Sequence, residues 1–132
     1  MELRYLYVGT DDTGSELARW LALPGARLRW RFRHFGADVA AVDTGAPPVV
    51  LIADHRPAGS VLPVFAVPDL EEARHLLVEG GWTVGSGPMG TPEGPAVVLD
   101  PPTGASLALL QVDRPGAMDA AYADDTNPHR VV

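Results

Sequence analysis

The feature that most constrains the fold of this chain is an internal duplication. Residues 3–54 predict a strand, a helix and three further strands, and residues 62–112 predict the same order. One βαβββ unit leaves a face of its sheet uncovered, so two are needed to close a core. The sequence therefore predicts an α+β fold, in which βαβββ modules at residues 1–57 and 58–113 form curved mixed sheets around a cleft. An acidic tail follows at residues 114–132.

Both predicted helices begin with a capping-box pattern, in which a side-chain oxygen accepts a hydrogen bond from the backbone N–H three residues on. Thr13 is the expected cap of the first helix and Asp69 that of the second. The Gly- and Pro-rich residues 85–95 predict a long, adaptable loop. The predicted bounds are 13–23 and 69–79 for the helices, and 3–8, 27–35, 37–42, 49–54, 62–67, 82–84, 96–100 and 106–112 for the strands.

The composition excludes several classes of function. Cys is absent, which excludes disulfides, thiolate metal sites and Cys nucleophiles. The net charge of −7 argues against a nucleic-acid partner, since phosphate binding needs a basic surface. No apolar run approaches the length of about 18 residues that a membrane span needs. The N-terminus has no basic region followed by an apolar core, so we expect a cytoplasmic protein.

The acidic tail contains few large apolar side chains, which predicts that it is weakly ordered. Residues 117–122 could form one or two helical turns against another surface.

The predicted strand at residues 27–35 alternates strongly between two kinds of side chain. Its faces carry, respectively, Arg27, Arg29, Arg31 and Arg33, and Leu28, Trp30, Phe32 and His34. The arginines could bind an anionic ligand, or they could form a solvated strand edge that discourages aggregation, which we favour. The aromatic face buries a large area and can stack on flat ligands.

Two segments of the second module resemble a known superfamily. They are VFAVPDLEEA at residues 64–73 and DPPTGASLAL at residues 100–109. Together they resemble the glyoxalase/bleomycin-resistance/extradiol-dioxygenase superfamily, also called vicinal oxygen chelate. The resemblance covers nearly the whole chain to about residue 112, and it is more specific for fold than for function.

The resemblance also implies where a metal would bind. Members of the superfamily that do chemistry hold a divalent metal through His and Glu on the inner strands of both modules. The corresponding positions here are Leu3, Leu62, Ala108 and the strand at residues 49–53, and none of them offers a ligand. The chain therefore resembles the metal-free branch of the superfamily, and no cofactor is expected.

That branch includes small dimeric proteins that sequester antibiotics. The resemblance implies a homodimer that binds an antibiotic or another aromatic natural product in a cleft without chemistry. The expected small-molecule contacts share the cleft-facing parity or belong to the Gly/Pro-rich region. They are Tyr5, Tyr7, Trp30, Phe32, His34, Val64, Trp82, Met89, Glu93 and Leu110.

Two alternatives remain. A metal-independent isomerase, dehydratase or cyclase would need a general acid or base within hydrogen-bond reach of its substrate. The candidates for that role are Tyr7, His34, Asp54, His55 and Glu93, and no two of them are spaced in a way that demands catalysis. The other alternative is a regulatory or scaffold protein with a vestigial site.

Overall fold

The helices and strands follow the duplicated order along the chain. The computed structural model describes residues 1–131. Within them the chain forms eight strands and three helices, which confirms the α+β class. The elements are β1 (Glu2–Gly9), α1 (Thr13–Leu21), β2 (Arg27–His34), β3 (Ala37–Asp43), β4 (Val49–Ala53), β5 (Val61–Val67), α2 (Leu70–Glu79), β6 (Thr83–Gly90), β7 (Pro95–Asp100), β8 (Leu107–Gln111) and α3 (Ala117–Tyr122). None of the helices in this range is long and apolar enough to cross a membrane.

The chain forms two compact units. We call Tyr5–Val61 together with residues 119–131 the first unit. Leu62–Met118 together with Met1–Arg4 form the second unit. Each unit thus includes a short segment from the far end of the chain.

The first unit orders its strands β2-β3-β4-β1, with β1 parallel to β4 and the other neighbours antiparallel. α1 covers one face of this sheet. The core on that side consists of Leu17, Ala40, Val42, Val50 and Ile52. The register places Tyr7 opposite Leu51, and Trp30 opposite Ala41. Because paired residues project from the same face, the aromatic side chains lie on the face away from α1.

The second unit repeats this arrangement with the order β5-β8-β7-β6. α2 covers one face, where the core consists of Val67, Leu70, Val97, Leu99 and Leu109. On the opposite face Val64 lies beside Ala108, and Ala66 lies beside Leu110. Small and aliphatic side chains therefore occupy the positions that aromatic residues fill in the first unit.

The helix caps are right for α2 and wrong by one residue for α1. The Asp69 carboxylate accepts a hydrogen bond from the Glu72 backbone N–H at 3.0 Å, as expected. In α1 the cap is Asp12, which accepts from the Ser15 N–H at 3.2 Å. Thr13 is instead the first helical residue, and its buried hydroxyl donates to the Asp38 carbonyl on β3 at 2.8 Å.

The loop predicted at residues 85–95 is wrong for its first half, because residues 83–90 form β6. β6 pairs with β7 through two register shifts, one between Val84 and Ser86 and the other between Ser86 and Met89. Pro is tolerated on an edge strand and at bulges, because it has no N–H to donate to the ladder. Gly and Pro in this segment therefore mark irregularities within a strand.

The tail is more ordered than its composition predicts. Residues 117–122 form α3, which confirms the helical turns. Residues 129–131 then run antiparallel to β2, with Phe32 opposite Arg130. The Arg33 N–H donates to the His129 carbonyl at 2.8 Å, and the Val131 N–H donates to the Arg31 carbonyl at 2.7 Å. The edge of β2 is thus paired by the chain's own tail.

Candidate functional site

Three aromatic side chains of the first unit form what we call the aromatic cluster, Trp30, Phe32 and Tyr122, and Tyr7 lies on the same face of the sheet. The Tyr122 ring of α3 stacks on Phe32 with ring centroids 4.3 Å apart and planes 17° apart. The Trp30 ring lies 4.8 Å from Tyr122 and 5.7 Å from Phe32. Trp30 is buried, whereas the other two rings and Tyr7 are half-buried. The cluster therefore presents partly exposed ring area over a rigid indole.

A hydrogen bond fixes Trp30 to the segment that carries Tyr122. The indole Nε1–H donates to Asp119 Oδ1 at 2.8 Å. The other oxygen of Asp119 accepts from Arg29 at 3.0 Å. The polar end of a buried Trp usually finds such a partner, and here the partner holds α3 beside β2.

Tyr7 stands next to two residues of the β4–β5 linker. Its ring lies 6.1 Å from that of His55, edge to face. Burial raises the pKa of Tyr7 to about 12; the nearby Tyr122 adds to this rise, and Arg56 opposes it. Burial, and then Arg56, lower the pKa of His55, while Asp54 acts in the opposite direction. Tyr7 and His55 are therefore predominantly uncharged at neutral pH.

Arg56 differs from the other arginines of the described chain. Of the ten arginines, nine contact a carboxylate or a carbonyl oxygen. These pairs are Arg4 with Glu93, Arg19 with Glu16, Arg27 and Arg29 with Asp43, Arg31 and Arg33 with Asp38, Arg74 with Glu71, Arg114 with the carbonyls of Thr91 and Pro92, and Arg130 with Asp125. Within residues 1–131, the buried Nε of Arg56 has no hydrogen-bond partner.

The arginine ladder of β2 is neutralised by acids of the same unit. Arg31 donates to both oxygens of Asp38, at 2.9 and 2.7 Å. Hydrogen bonding from Arg31, and then from Arg33, lowers the pKa of Asp38, although burial opposes the shift. This pairing supports a structural role for the ladder, at an edge that the tail covers.

The structure brings five of the expected contacts to one face of the first unit: Tyr5, Tyr7, Trp30, Phe32 and His34. Tyr5 is buried. The His34 ring lies 3.6 Å from the rings of both Phe35 and His129, measured between centroids. His34 thus lies where this face meets the C-terminal tail.

The expected contacts of the second unit are not brought together. Val64, Leu110 and Met89 share the face away from α2; the first two are buried and Met89 is exposed. Trp82 instead packs against the α2 core. Glu93, in the turn between β6 and β7, is fully buried.

Glu93 belongs to a buried ion pair of the second unit. Arg4 Nη2 lies 2.6 Å from Glu93 Oε2, and Arg4 Nε donates to Oε1 at 3.3 Å. The Gly116 N–H also donates to Oε2, at 3.3 Å. This contact set is typical of a structural carboxylate, which joins the β6–β7 turn to residues 1–4 of the same unit.

The residues present do not fit the divalent metal that the resemblance associates with enzymes. Leu3, Leu62 and Ala108 end in hydrocarbon, and residues 49–53 of β4 are apolar. Across residues 1–131, no group of three or more His, Cys, Asp or Glu side chains is arranged to hold a metal ion.

Three residues of this region were not among the expected contacts: Arg56, Asp119 and Tyr122. The position of Tyr122 next to a short amphipathic turn is a weak signal in the sequence. The sequence around Asp119 does not predict its role, because its partner Trp30 lies 89 residues away. The sequence around Arg56 does not predict its role either, because that role depends on an Nε without a hydrogen-bond partner among the described residues.

Comparison with solved structures identifies the fold. A hypothetical protein of Bacillus halodurans superposes with a TM-score of 0.71 at 12% identity, covering 86% of this chain and 95% of that one. Methylmalonyl-CoA epimerase of Streptomyces coelicolor, in complex with 2-nitronate-propionyl-CoA, gives 0.69 at 12% identity, covering 86% and 99%. A protein of Methanosarcina mazei gives 0.56 at 19% identity, covering 86% and 95%.

No protein-family model matches the chain, and no curated protein matches it. The structural matches nevertheless agree with the resemblance, because methylmalonyl-CoA epimerase has the vicinal oxygen chelate fold. This chain has that fold.

Proposed function

We propose that this chain is a binding protein of the vicinal oxygen chelate fold, which sequesters an antibiotic or another aromatic natural product without chemistry. The guest lies against the aromatic cluster of the first unit. The observation that carries this proposal is the near-parallel stack of Tyr122 on Phe32, with both rings half-buried. Such a stack is a surface on which a further flat ring can pack.

The energetics favour a flat guest. An aromatic pair contributes about 0.5–1.5 kcal/mol beyond the burial of its area. Trp30 lies buried beside the stack and is fixed by Asp119, so little side-chain entropy is lost at this position on binding. A ligand with two or three fused rings would contact several of the rings at once.

Binding is favoured over catalysis because three of the candidate acids and bases are engaged. The His34 ring contacts the tilted rings of Phe35 and His129, Asp54 accepts a backbone N–H, and Glu93 is paired with Arg4. A general acid or base must be free to reach the substrate. The side chains at the metal positions are hydrocarbon, which also supports a site that holds its guest by shape and ring contact.

The proposal includes a homodimer, as the resemblance implies, and a location in the cytoplasm. Light scattering on the purified chain is expected to give a mass of twice 14.0 kDa, about 28 kDa. A mass of one chain across the concentration range of the binding experiments would remove the dimer from the proposal.

Fluorescence of Trp30 tests the binding site. The double variant Trp20→Phe, Trp82→Phe leaves Trp30 as the single indole, because the chain has three Trp. Anthraquinone carboxamide, a flat and uncharged probe that absorbs Trp emission, is titrated into this protein. We expect saturable quenching, and we expect mass spectrometry to recover the probe unchanged.

Ring variants locate the guest. Phe32→Ala and Tyr122→Ala should each weaken binding by about two- to tenfold, the equivalent of one lost stacked contact. Phe35→Ala is the matched control, because Phe35 is 94% exposed at the β2–β3 turn and should leave affinity unchanged. Absence of quenching in folded protein would refute the proposal, and conversion of the probe would favour the enzymatic alternative.

A further inference from the structure

Arg56 gives the proposed site a chemical preference that its aromatic rings alone do not. Its guanidinium has a buried Nε without a hydrogen-bond partner among the described residues. Leaving a buried donor unbonded is unfavourable, and more so for a charged group. A native protein retains such a group where something else binds it, and the other nine arginines show that this chain otherwise pairs its guanidinium groups.

Among the described residues Arg56 has no carboxylate within ion-pair distance, although Asp54 lies two residues before it in the sequence. Its electrostatic neighbours Tyr7 and His55 are predominantly uncharged at neutral pH, since burial disfavours the charged form of each. Asp54, two residues before it, accepts the backbone N–H of Asp38 at 2.8 Å. No ion pair within residues 1–131 includes Arg56.

Arg56 is connected to the aromatic cluster through Tyr7. The Tyr7 phenol interacts electrostatically with both Arg56 and Tyr122, and Tyr122 stacks on Phe32. A molecule that contacts the rings and extends past Tyr7 would therefore approach Arg56, which forms no ion pair within residues 1–131. The chain carries a net charge of −7, so any attraction for an anion here is local.

We propose that the guest of the aromatic cluster is an aromatic carboxylic acid, whose carboxylate forms a bidentate ion pair with Arg56. This inference rests on the proposed function and specifies its ligand class. The planar guanidinium matches a carboxylate with two parallel hydrogen bonds. The rings then hold the body of the molecule while Arg56 holds its acidic end.

Two probes of the same shape test this proposal by isothermal titration calorimetry. Anthraquinone carboxylate and anthraquinone carboxamide differ in charge but not in ring system. The unmodified protein should bind the carboxylate at least about tenfold more tightly, as expected for a partly buried charge-assisted pair. Arg56→Met should remove this preference, by weakening carboxylate binding far more than carboxamide binding. Arg33→Met, which removes an exposed arginine that pairs with Asp38, is the matched control and should keep the preference.

The outcomes separate the two proposals. Binding of neither probe would refute the binding function itself. Equal binding of both probes to the unmodified protein would overturn the carboxylate proposal and leave the binding function standing. If Arg56→Met does not fold, Arg56→Lys replaces it: retained charge with lost bidentate geometry should reduce the preference, and an unchanged preference would count against Arg56. A preference in the unmodified protein that survives Arg56→Met in folded protein would also overturn the assignment.

Discussion

The two units share a fold but differ in the side chains on the sheet face away from the helix. In the first unit β1 places Tyr5 and Tyr7 on that face, whereas in the second unit β5 places Val64 and Ala66 there. Duplication explains the common backbone. The contrast shows that the residues suited to stacking are concentrated in the first unit, while the second unit keeps an aliphatic version of the same surface.

The two units also treat a half-buried arginine differently. In the second unit Arg4 contacts the fully buried Glu93. In the first unit Arg56 has a buried Nε without a hydrogen-bond partner among residues 1–131. We infer that Arg4 stabilises the fold and that Arg56 binds a ligand. Mutation of each arginine tests this difference.

The largest effect is expected at Arg4. Arg4→Met removes the cation that contacts a fully buried carboxylate, and breaking such a pair costs about 3–5 kcal/mol. Arg56→Met should change the free energy of unfolding by less than about 1 kcal/mol in either direction, since it strands no acid. Urea unfolding of both variants measures the difference. Equal losses of unfolding free energy in the two variants would show that Arg56, like Arg4, has a structural role.

The next effect concerns Tyr7, and it appears at alkaline pH. Because burial raises the pKa of Tyr7 to about 12, the folded state holds this proton more tightly than the unfolded state, where the pKa is about 10. Tyr7 therefore contributes about 2–3 kcal/mol to the free energy of unfolding. This contribution is fully present below pH 10 and is lost as the pH rises through 12.

Tyr7→Phe should remove that part of the alkaline destabilisation, as followed by chemical unfolding at a series of pH values. The pH dependence of the unfolding free energy of the wild-type protein is the reference. Identical pH dependence in the two proteins would show that the folded state does not raise the pKa of the Tyr7 phenol.

Asp119→Ala is expected to have a smaller effect. It removes the acceptor of the Trp30 indole hydrogen bond, which should cost about 1–3 kcal/mol. Asp11→Ala, at an exposed turn, is the control and should change stability by less than about 0.5 kcal/mol. If the two variants were equally stable, the bond from Trp30 to Asp119 would not hold α3 in place.

The smallest effect is expected at Asp38. Its pKa lies below the ordinary value because of Arg31, so its contribution is present above about pH 4 and is lost as the pH falls through the folded-state pKa. Asp38→Asn should cost about 1 kcal/mol or less at pH 7. The difference from the wild type should shrink in acid. A difference that persisted at low pH would point to packing rather than charge.

The fold was predictable because its signals are local. Helical spacing and the Asp69 cap predict α2, and alternation predicts β2 with Trp30 and Phe32 on one face. The strand predicted at residues 82–84 is much too short, because the Gly and Pro of residues 85–90 predict a loop, whereas an edge position with bulges accommodates them in β6. The cap at Asp12 was missed because tertiary contact draws the Thr13 hydroxyl to β3.

The site was only partly predictable, because its defining features depend on distant residues. Parity places Tyr7, Trp30 and Phe32 on one face, as the register bears out. Tyr122 reaches the cluster only because the tail returns to β2. The hydrogen bond from Trp30 to Asp119 that marks this return joins residues 89 positions apart in the sequence. No local pattern predicts that Arg56 Nε lacks a hydrogen-bond partner within the described part of the chain.

The most direct test follows the three indole N–H signals in heteronuclear NMR spectra of nitrogen-labelled, unmodified protein. Trp30 belongs to the aromatic cluster, whereas Trp20 and Trp82 pack against the α1 and α2 cores. Addition of anthraquinone carboxylate should shift the Trp30 signal strongly and leave the other two in place. A shift at Trp82 with none at Trp30, or no shift in any of the three, would contradict the location of the binding site in the first unit.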